Sequence, residues 1–213
     1  MSRIIAGAAG GIRLASVPGS GTRPSTDRLK ESLFSRLEAW GMLDDARVLD
    51  LYAGSGALGC ESASRGARAV VLVEKHPKAL GVCRANAGTV NRALDAQVVR
   101  AERGTALTYV RDHDGPWDLV LADPPYPLGE AEVTEVLAGL AGRLGPGGVV
   151  VIERSSRSPE PTWPAGLRLL DRSKHGESML WYAEADEPGD ASDAEADAEP
   201  GAGGGSGRRD HGA

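Results

Sequence analysis

The sequence predicts an α/β fold in which a mostly parallel central sheet carries helices on both faces and includes an antiparallel C-terminal strand. Three observations predict this class. Short apolar runs alternate with helix-length segments, which is typical of parallel strands joined by helical crossovers. Runs such as VVLVE and VVVIE are apolar throughout, as expected for strands covered on both faces. After Glu153 two strand-like segments follow each other with only a polar turn between them, which indicates a hairpin.

Five apolar runs are the predicted parallel strands, at residues 47–52, 69–74, 96–100, 117–122 and 149–153. The terminal hairpin combines residues 167–170 and 178–182 around a turn at 173–176. A second, short hairpin is expected near the start of the chain, where residues 4–6 pair with residues 12–14.

Four segments carry helical signals. The first, residues 26–40, has leucines and a phenylalanine at helical spacing, a start signal at Ser25 and Thr26, and a stop at Gly41. The others are residues 57–65, 77–90 and 130–144. Pro77 suits the first turn of its helix, where the missing N–H has no helical partner in any case.

We expect one domain over residues 1–182, with an N-terminal hairpin and helix at 1–46 and a sheet core at 47–182. Residues 183–213 carry nine acidic and two basic residues and no aromatic residue, so we expect a disordered acidic tail. Cys60 and Cys83 fit neither a CxxC pair nor a metal spacing, and the apolar runs are too short to span a membrane. These features predict a cytoplasmic monomer with reduced thiols, no metal and no membrane partner.

A glycine-rich turn follows the first core strand, in VLDLYAGSGALG at residues 48–59. Its glycines allow a ligand close to the backbone, and the helix that follows offers free N–H groups. The glycines also match the G-x-G-x-x-G dinucleotide pattern, which alone is not specific. Asp50, just before the turn, favours a cationic amine, such as that of S-adenosylmethionine, over a pyrophosphate. Glu74 ends the second strand, where an acid accepts hydrogen bonds from ribose hydroxyls, and it leaves NAD and S-adenosylmethionine both open.

A second motif, LADPPYPLG at residues 121–129, separates these two cofactors. Asp123 and Pro124 each precede a proline, so both are expected to be extended at the end of the fourth strand. The prolines lack N–H donors, which leaves the Asp123 carboxylate and nearby carbonyls as an acceptor-only cluster. Such a cluster can hold both N–H bonds of an exocyclic amine and aim its nitrogen at an electrophilic methyl group. Tyr126 offers a flat face on which a base can stack.

These motifs carry a family resemblance. DPPY after the fourth strand resembles motif IV of the amino-methyltransferases, and DLYAGSGALG resembles their S-adenosylmethionine loop. RIIAG, RPSTDRLKESLF, VLDLYAGSGALGCESASRGA, VLVEK and KHGESMLWY resemble, in that order, the bacterial RsmD family over nearly all of residues 1–182. The resemblance implies a Rossmann-like methyltransferase fold and S-adenosylmethionine-dependent methylation of guanine N2 in 16S rRNA, within the small ribosomal subunit.

The site residues expected from the motifs and the resemblance fall into three groups. The catalytic residues are Asp123, Pro124 and Tyr126. The cofactor-binding residues are Asp50, Tyr52, Ala53, Gly54, Ser55, Gly56, Glu74 and Asp123. The phosphate-contacting residues of the basic N-terminal section are Arg3, Arg13, Arg23, Arg28 and Lys30. Related enzymes often hold the adenine with an acid after the third strand, but here Glu102 and Arg103 stand there and the adenine contact is unassigned.

Three other functions remain open from the sequence. An amino-methyltransferase of DNA adenine or cytosine, or of a protein amide, has the same motifs. A dinucleotide oxidoreductase needs a larger substrate-binding part and leaves DPPY unexplained. A non-catalytic RNA-binding assembly factor would bind RNA without methyl transfer.

Overall fold

The computed structural model describes residues 2–18, 27–125 and 128–186. The elements of these residues are β1 Ser2–Arg3, β2 Arg13–Leu14, α1 Asp27–Ala39, β3 Arg47–Leu51, α2 Ala57–Ser64, β4 Ala69–Glu74, α3 Pro77–Leu94, β5 Val99–Arg103, α4 Ala106–Asp112, β6 Trp117–Ala122, α5 Glu130–Leu140, β7 Leu144–Ser155, β8 Leu167–His175 and β9 Ser178–Ala185. Seven strands form one sheet in the order β5-β4-β3-β6-β7-β9-β8, and β1 and β2 form a separate two-stranded sheet.

The strand order places a ligand crevice between β3 and β6. Strands β3, β4 and β5 run outward along one side of the sheet, and the chain then returns to β6 on the other side of β3. The pairs among β3, β4, β5, β6 and β7 are parallel, whereas β9 is antiparallel to both β7 and β8. Open α/β sheets bind ligands at the carboxyl ends of the strands where the order reverses. The predicted fold class is confirmed, and the switch point lies beside the two motifs.

Two apolar layers cover the sheet, one on each face. Because side chains alternate along a strand, neighbouring residues of β3 enter different layers. Val48 packs in the layer that contains α1, α2 and α3, whereas Leu49 and Leu51 pack in the layer that contains α4 and α5. Both faces of the central strands are therefore buried, which explains why their sequences are apolar throughout.

The third core strand starts later than predicted, because a side chain of α3 binds the backbone there. The Asn91 Oδ1 accepts hydrogen bonds from Val98 N and Val99 N at 3.1 and 2.8 Å, and its Nδ2 donates to Val99 O at 2.8 Å. Strand β5 begins at Val99 rather than at residue 96. The short helix α4, missing from the sequence prediction, follows it and is capped by Thr105, whose hydroxyl accepts from Thr108 N at 3.1 Å.

The C-terminal strands are longer than predicted. β7 begins at Leu144, within the segment expected to be helical, because Leu144 pairs with Trp117 of β6. β8 continues to His175, which pairs with Ser178, so the predicted turn at 173–176 shrinks to the two residues between them. β9 continues to Ala185, past the predicted domain boundary at residue 182.

The N-terminal hairpin is shifted toward the start of the chain. Its strands pair Ser2 and Arg3 with Leu14 and Arg13, and of the predicted pairing of residues 4–6 with residues 12–14 the structure retains the hydrogen bond from Ile4 N to Ile12 O at 2.9 Å. The predicted acidic tail from residue 187 onward lies outside the described residues.

Candidate functional site

A pocket of about 580 Å³ opens at the carboxyl ends of the central strands. Its walls contain the predicted cofactor residues Asp50, Tyr52, Ala53, Gly54, Ser55, Glu74 and Asp123. The structure therefore brings the glycine turn, the end of β4 and the DPP motif together. Gly56 faces the core, since a Cβ atom there would lie 2.8 Å from Leu72 Cδ1 and 3.0 Å from Cys83 Sγ.

The glycine turn is held beside the end of β4. Tyr52, with φ +62°, leads the chain out of β3, and Gly54 follows at φ +57°. Ala53 N donates to Val73 O of β4 at 3.0 Å, which fixes the turn beside the end of that strand. The turn residues Tyr52 to Ser55 therefore stand in the pocket wall next to the end of β4.

Asp50 joins β3 to the start of α2. Its Oδ2 accepts a hydrogen bond from Gly59 N at 2.9 Å, and the residue is 1% exposed. Burial raises the pKa of Asp50 to about 7, with a further contribution from the Glu74 carboxylate, while the Gly59 hydrogen bond acts in the opposite direction. One carboxylate oxygen is therefore used inside the fold, although Asp50 also lines the pocket where an amine is predicted to bind.

Glu74 lies between the glycine turn and the start of α3. Its Oε2 accepts from Gly54 N at 2.8 Å and its Oε1 accepts from His76 N at 2.7 Å. Each carboxylate oxygen can accept a second hydrogen bond. Since Glu74 also lines the pocket, the predicted contact with ribose hydroxyls is geometrically available.

Asp123 lies directly after β6 and lines the same pocket. The parallel register pairs Ala122 with Ile152, so the next residues, Asp123 and Glu153, are neighbours at the sheet edge. Burial, the Glu153 carboxylate and the Asp50 carboxylate all raise the pKa of Asp123. This carboxyl group is thus poised to take up a proton.

The prolines that follow Asp123 have different positions. Pro124 is buried, whereas Pro125 is exposed at the pocket wall, and its carbonyl accepts from Leu128 N at 2.8 Å. Tyr126, the predicted stacking residue, lies outside the described residues.

The predicted phosphate-contacting residues separate into two environments. Arg3, Arg13 and Arg28 are exposed, and Arg23 lies outside the described residues. Lys30 is 2% exposed, and its ammonium group donates to Arg3 O at 2.9 Å. Lys30 therefore holds the N-terminal segment and lines the pocket, unlike the exposed arginines with which the sequence groups it.

The pocket also has walls that the sequence does not predict. One is the start of α4, where Gly104, Thr105 and Ala106 line the pocket. Glu102, at the position expected for an adenine contact, instead pairs with Arg100 at 2.7 Å, and it is absent from the described lining of the pocket. Thr105 is the residue from which the sequence could have predicted this wall, because threonine is favoured at the N-cap of a helix.

The other unpredicted wall is the segment after β2. Ser16, Val17 and Pro18 line the pocket, although they are far from the glycine turn in sequence. A local sequence pattern gives no signal for such a long-range contact.

The described part of the chain has neither a metal-binding cluster nor a membrane-spanning helix. It contains no group of three or more His, Cys, Asp or Glu side chains arranged to hold a metal ion. None of its helices combines the length and apolar character needed to cross a membrane.

Comparison with known proteins identifies close relatives. The sequence model of the family described as conserved hypothetical protein 95 matches residues 2–184. The putative rRNA methyltransferase YlbH of Bacillus subtilis strain 168 is 31% identical over 174 residues, which cover 82% of this chain and 94% of that protein. Ribosomal RNA small subunit methyltransferase D of Escherichia coli strain K12 is 33% identical over 189 residues, with coverages of 83% and 92%. The solved structure of the putative methyltransferase yhhF from Escherichia coli has a TM-score of 0.74 and 29% identity, covering 86% of this chain and 97% of that one.

Proposed function

Because this chain belongs to the conserved hypothetical protein 95 family, the RsmD family, we propose that it methylates the exocyclic N2 of a guanine in 16S rRNA of the small ribosomal subunit. The coarser activity follows from the family: the protein is an rRNA methyltransferase, and S-adenosylmethionine is its methyl donor. The proposal adds the base, the atom and the ribosomal subunit.

The observation that carries the proposal is the position of Asp123 and Pro125 at the pocket beside the glycine turn, with the buried Pro124 between them. A guanine N2 amine has two N–H bonds to donate, and the Asp123 carboxylate with the Pro124 carbonyl gives two acceptors. Neither Pro124 nor Pro125 has an N–H that would compete for them. This arrangement favours an amine as the methyl acceptor over an oxygen or carbon nucleophile.

The chain's own residues mainly position the reactants. S-adenosylmethionine supplies an electrophilic methyl group when bound. The glycine turn and Glu74 would hold the donor, and Asp123 would orient the amine toward its methyl group. The Asp123 carboxylate would accept the proton that the amine nitrogen loses when it is methylated. We assign stacking of the extruded base to Tyr126.

The exposed Arg3, Arg13 and Arg28 support a nucleic acid as the substrate, because exposed cations can position a phosphate backbone without reading its sequence. A ribosomal substrate implies action in the cytoplasm. We also propose a monomer as the active form.

The test supplies labelled S-adenosylmethionine with unmodified small subunits, naked 16S rRNA or duplex DNA, and then identifies the methylated nucleoside. We expect N2-methylguanosine in rRNA. A methylated adenine or cytosine in DNA would instead support the DNA amino-methyltransferase. RNA binding without methyl transfer to any substrate would support the non-catalytic assembly factor.

A further inference from the structure

A buried asparagine of α3 connects two walls of the pocket that are distant in sequence. Asn86 is 3% exposed and makes three hydrogen bonds. Its Oδ1 accepts from Ala15 N at 2.8 Å, and its Nδ2 donates to Ala15 O at 3.0 Å and to Ser55 O at 2.8 Å. Both amide hydrogens and the amide oxygen are therefore used.

Each segment that Asn86 holds belongs to the pocket. Ser55 lies in the middle of the glycine turn, and Ala15 immediately precedes the wall formed by Ser16, Val17 and Pro18. The side chain of Asn86 thus bridges the cofactor turn and the N-terminal segment from behind, while it is itself absent from the described lining. A role in direct contact with a ligand is not needed to explain its buried hydrogen bonds.

The glycine turn needs such a tether. Ser55 stands between Gly54 and Gly56, whose φ angles are +57° and +79°, and glycines have the widest choice of backbone conformations. The Glu74 carboxylate accepts a hydrogen bond from Gly54 N, and the Asn86 amide donates one to the Ser55 carbonyl. These two side chains anchor the turn. Without either anchor the turn can adopt more backbone conformations, so that ordering it costs more free energy when a ligand binds.

The N-terminal segment also has anchors that lie farther from the pocket wall. Glu61 of α2 accepts from Ile5 N at 2.7 Å and from Ala6 N at 3.1 Å, and Ser64 accepts from Ala9 N at 2.9 Å. These contacts hold the first half of the segment. Asn86 holds its end, next to residues 16–18.

We propose that Asn86 is a positioning residue for the methyl donor: it fixes the glycine turn and the N-terminal wall relative to each other, so that the donor site is preorganised. This inference rests on the proposed function only in taking S-adenosylmethionine as the ligand. It assigns no proton transfer and no RNA contact to Asn86.

A matched control is present on the same helix. Asn91 is 5% exposed and likewise binds backbone groups with both ends of its amide, but its backbone partners are Val98 and Val99 at the start of β5. Its Nδ2 also donates to Gln97 Oε1 at 3.3 Å. Asn91 is not part of the described pocket lining or of its anchors. Asn86→Ala and Asn91→Ala therefore both remove buried hydrogen bonds, and only the first frees the pocket walls.

The experiment measures S-adenosylmethionine affinity by calorimetry, thermal stability, and the kcat and KM for the donor. For Asn86→Ala we expect a Kd and a KM about tenfold higher, from the loss of one or two effective hydrogen bonds, with kcat at saturating donor close to wild type. For Asn91→Ala we expect a comparable drop in Tm with an unchanged Kd. Asn86→Ser, which is too short to hold both segments, repeats the measurement if the alanine variant does not fold.

Other results overturn the inference. An unchanged Kd in folded Asn86→Ala or Asn86→Ser would show that the walls are positioned without this side chain. An equal rise of Kd in Asn91→Ala would show that affinity follows general stability. If the wild type itself does not bind S-adenosylmethionine, the assigned donor is wrong and the inference is lost with it.

Discussion

Replacement of Asp123 by Ala separates orientation of the amine from binding of the methyl donor. Among the described contacts, the hydrogen bonds that hold the glycine turn come from Glu74, Asn86 and backbone groups, and none comes from Asp123. The affinity of the variant for S-adenosylmethionine should therefore stay near that of the wild type. Methyl transfer should collapse, because the amine loses its charged acceptor.

The size of the loss follows from two effects on the same carboxylate. A hydrogen bond to a charged group is worth about 1.5–3 kcal/mol, and a positioned proton acceptor contributes about 10²–10⁴-fold to the rate. Because the same oxygen atoms provide both, the effects overlap, and we expect kcat/KM for RNA to fall by about 10³-fold. Asp123→Asn should fall between the wild type and the alanine variant, since its amide keeps one acceptor oxygen.

The environment of Asp123 also predicts the pH dependence of both activity and stability. Burial and the carboxylates of Glu153 and Asp50 raise its pKa, so activity should fall with decreasing pH well above about 3.9, the value of an unperturbed Asp. A pKa that is higher in the folded state means that the folded protein binds this proton more tightly. Stability therefore falls as pH rises through the raised pKa. Asp123→Asn should lack this dependence and melt at a higher temperature than the wild type at alkaline pH.

The assay measures labelled methyl transfer to unmodified small subunits, with donor affinity measured separately by calorimetry. Asp114→Ala is the control, because the Asp114 side chain is 96% exposed and outside the described pocket lining. Two results would refute the reasoning: an Asp123→Ala variant that keeps most of its activity, or one that loses activity only because it no longer binds the donor. The two prolines would then be no more than a turn.

Three further changes have defined outcomes. Glu74→Ala should weaken S-adenosylmethionine binding by about 1–3 kcal/mol in a calorimetric titration, and an unchanged Kd would remove Glu74 from the site. Gly59→Ala should destabilise the fold by about 1–3 kcal/mol in denaturant unfolding, because its Cβ would lie 2.2 Å from Leu72 Cδ2. Gly81→Ala, with no atom near the added methyl group, is the control and should not destabilise it. Base stacking is worth about 1–3 kcal/mol, so Tyr126→Ala should lower transfer efficiency about tenfold to a hundredfold, and Tyr126→Phe much less; equal losses would argue against stacking.

The central strands were predictable because burial on both faces requires a continuous run of apolar residues. Strand β4 has the predicted bounds, 69–74, and every residue of β3 after Arg47 is buried. Strand β5 has no such continuous apolar run. Its start depends on Asn91, a residue of the preceding helix, and Arg100 and Arg103 interrupt its apolar pattern. An edge strand with a polar face is specified by its partners more than by its own residues.

The same distinction applies to the site. Asp50, Glu74 and Asp123 were predictable as pocket residues because each stands at or next to the carboxyl end of a strand, and parallel strands bring these ends to one edge of the sheet. The wall after β2 depends on hydrogen bonds between Ala15 and Asn86, which are 71 positions apart. Periodicity and turn signals describe neighbours in sequence, so they contain no information about this contact.

The start of α2 explains why a glycine pattern shared with dinucleotide-binding proteins suits a methyl donor here. In those proteins the free N–H groups at the helix start bind a pyrophosphate. In this chain the Asp50 carboxylate already accepts from Gly59 N in the first turn, so one of these N–H groups is bound to an acid of the fold itself. A pyrophosphate would be repelled by the ionised Asp50, whereas a ligand that carries a sulfonium and an amino group stabilises this ionised form.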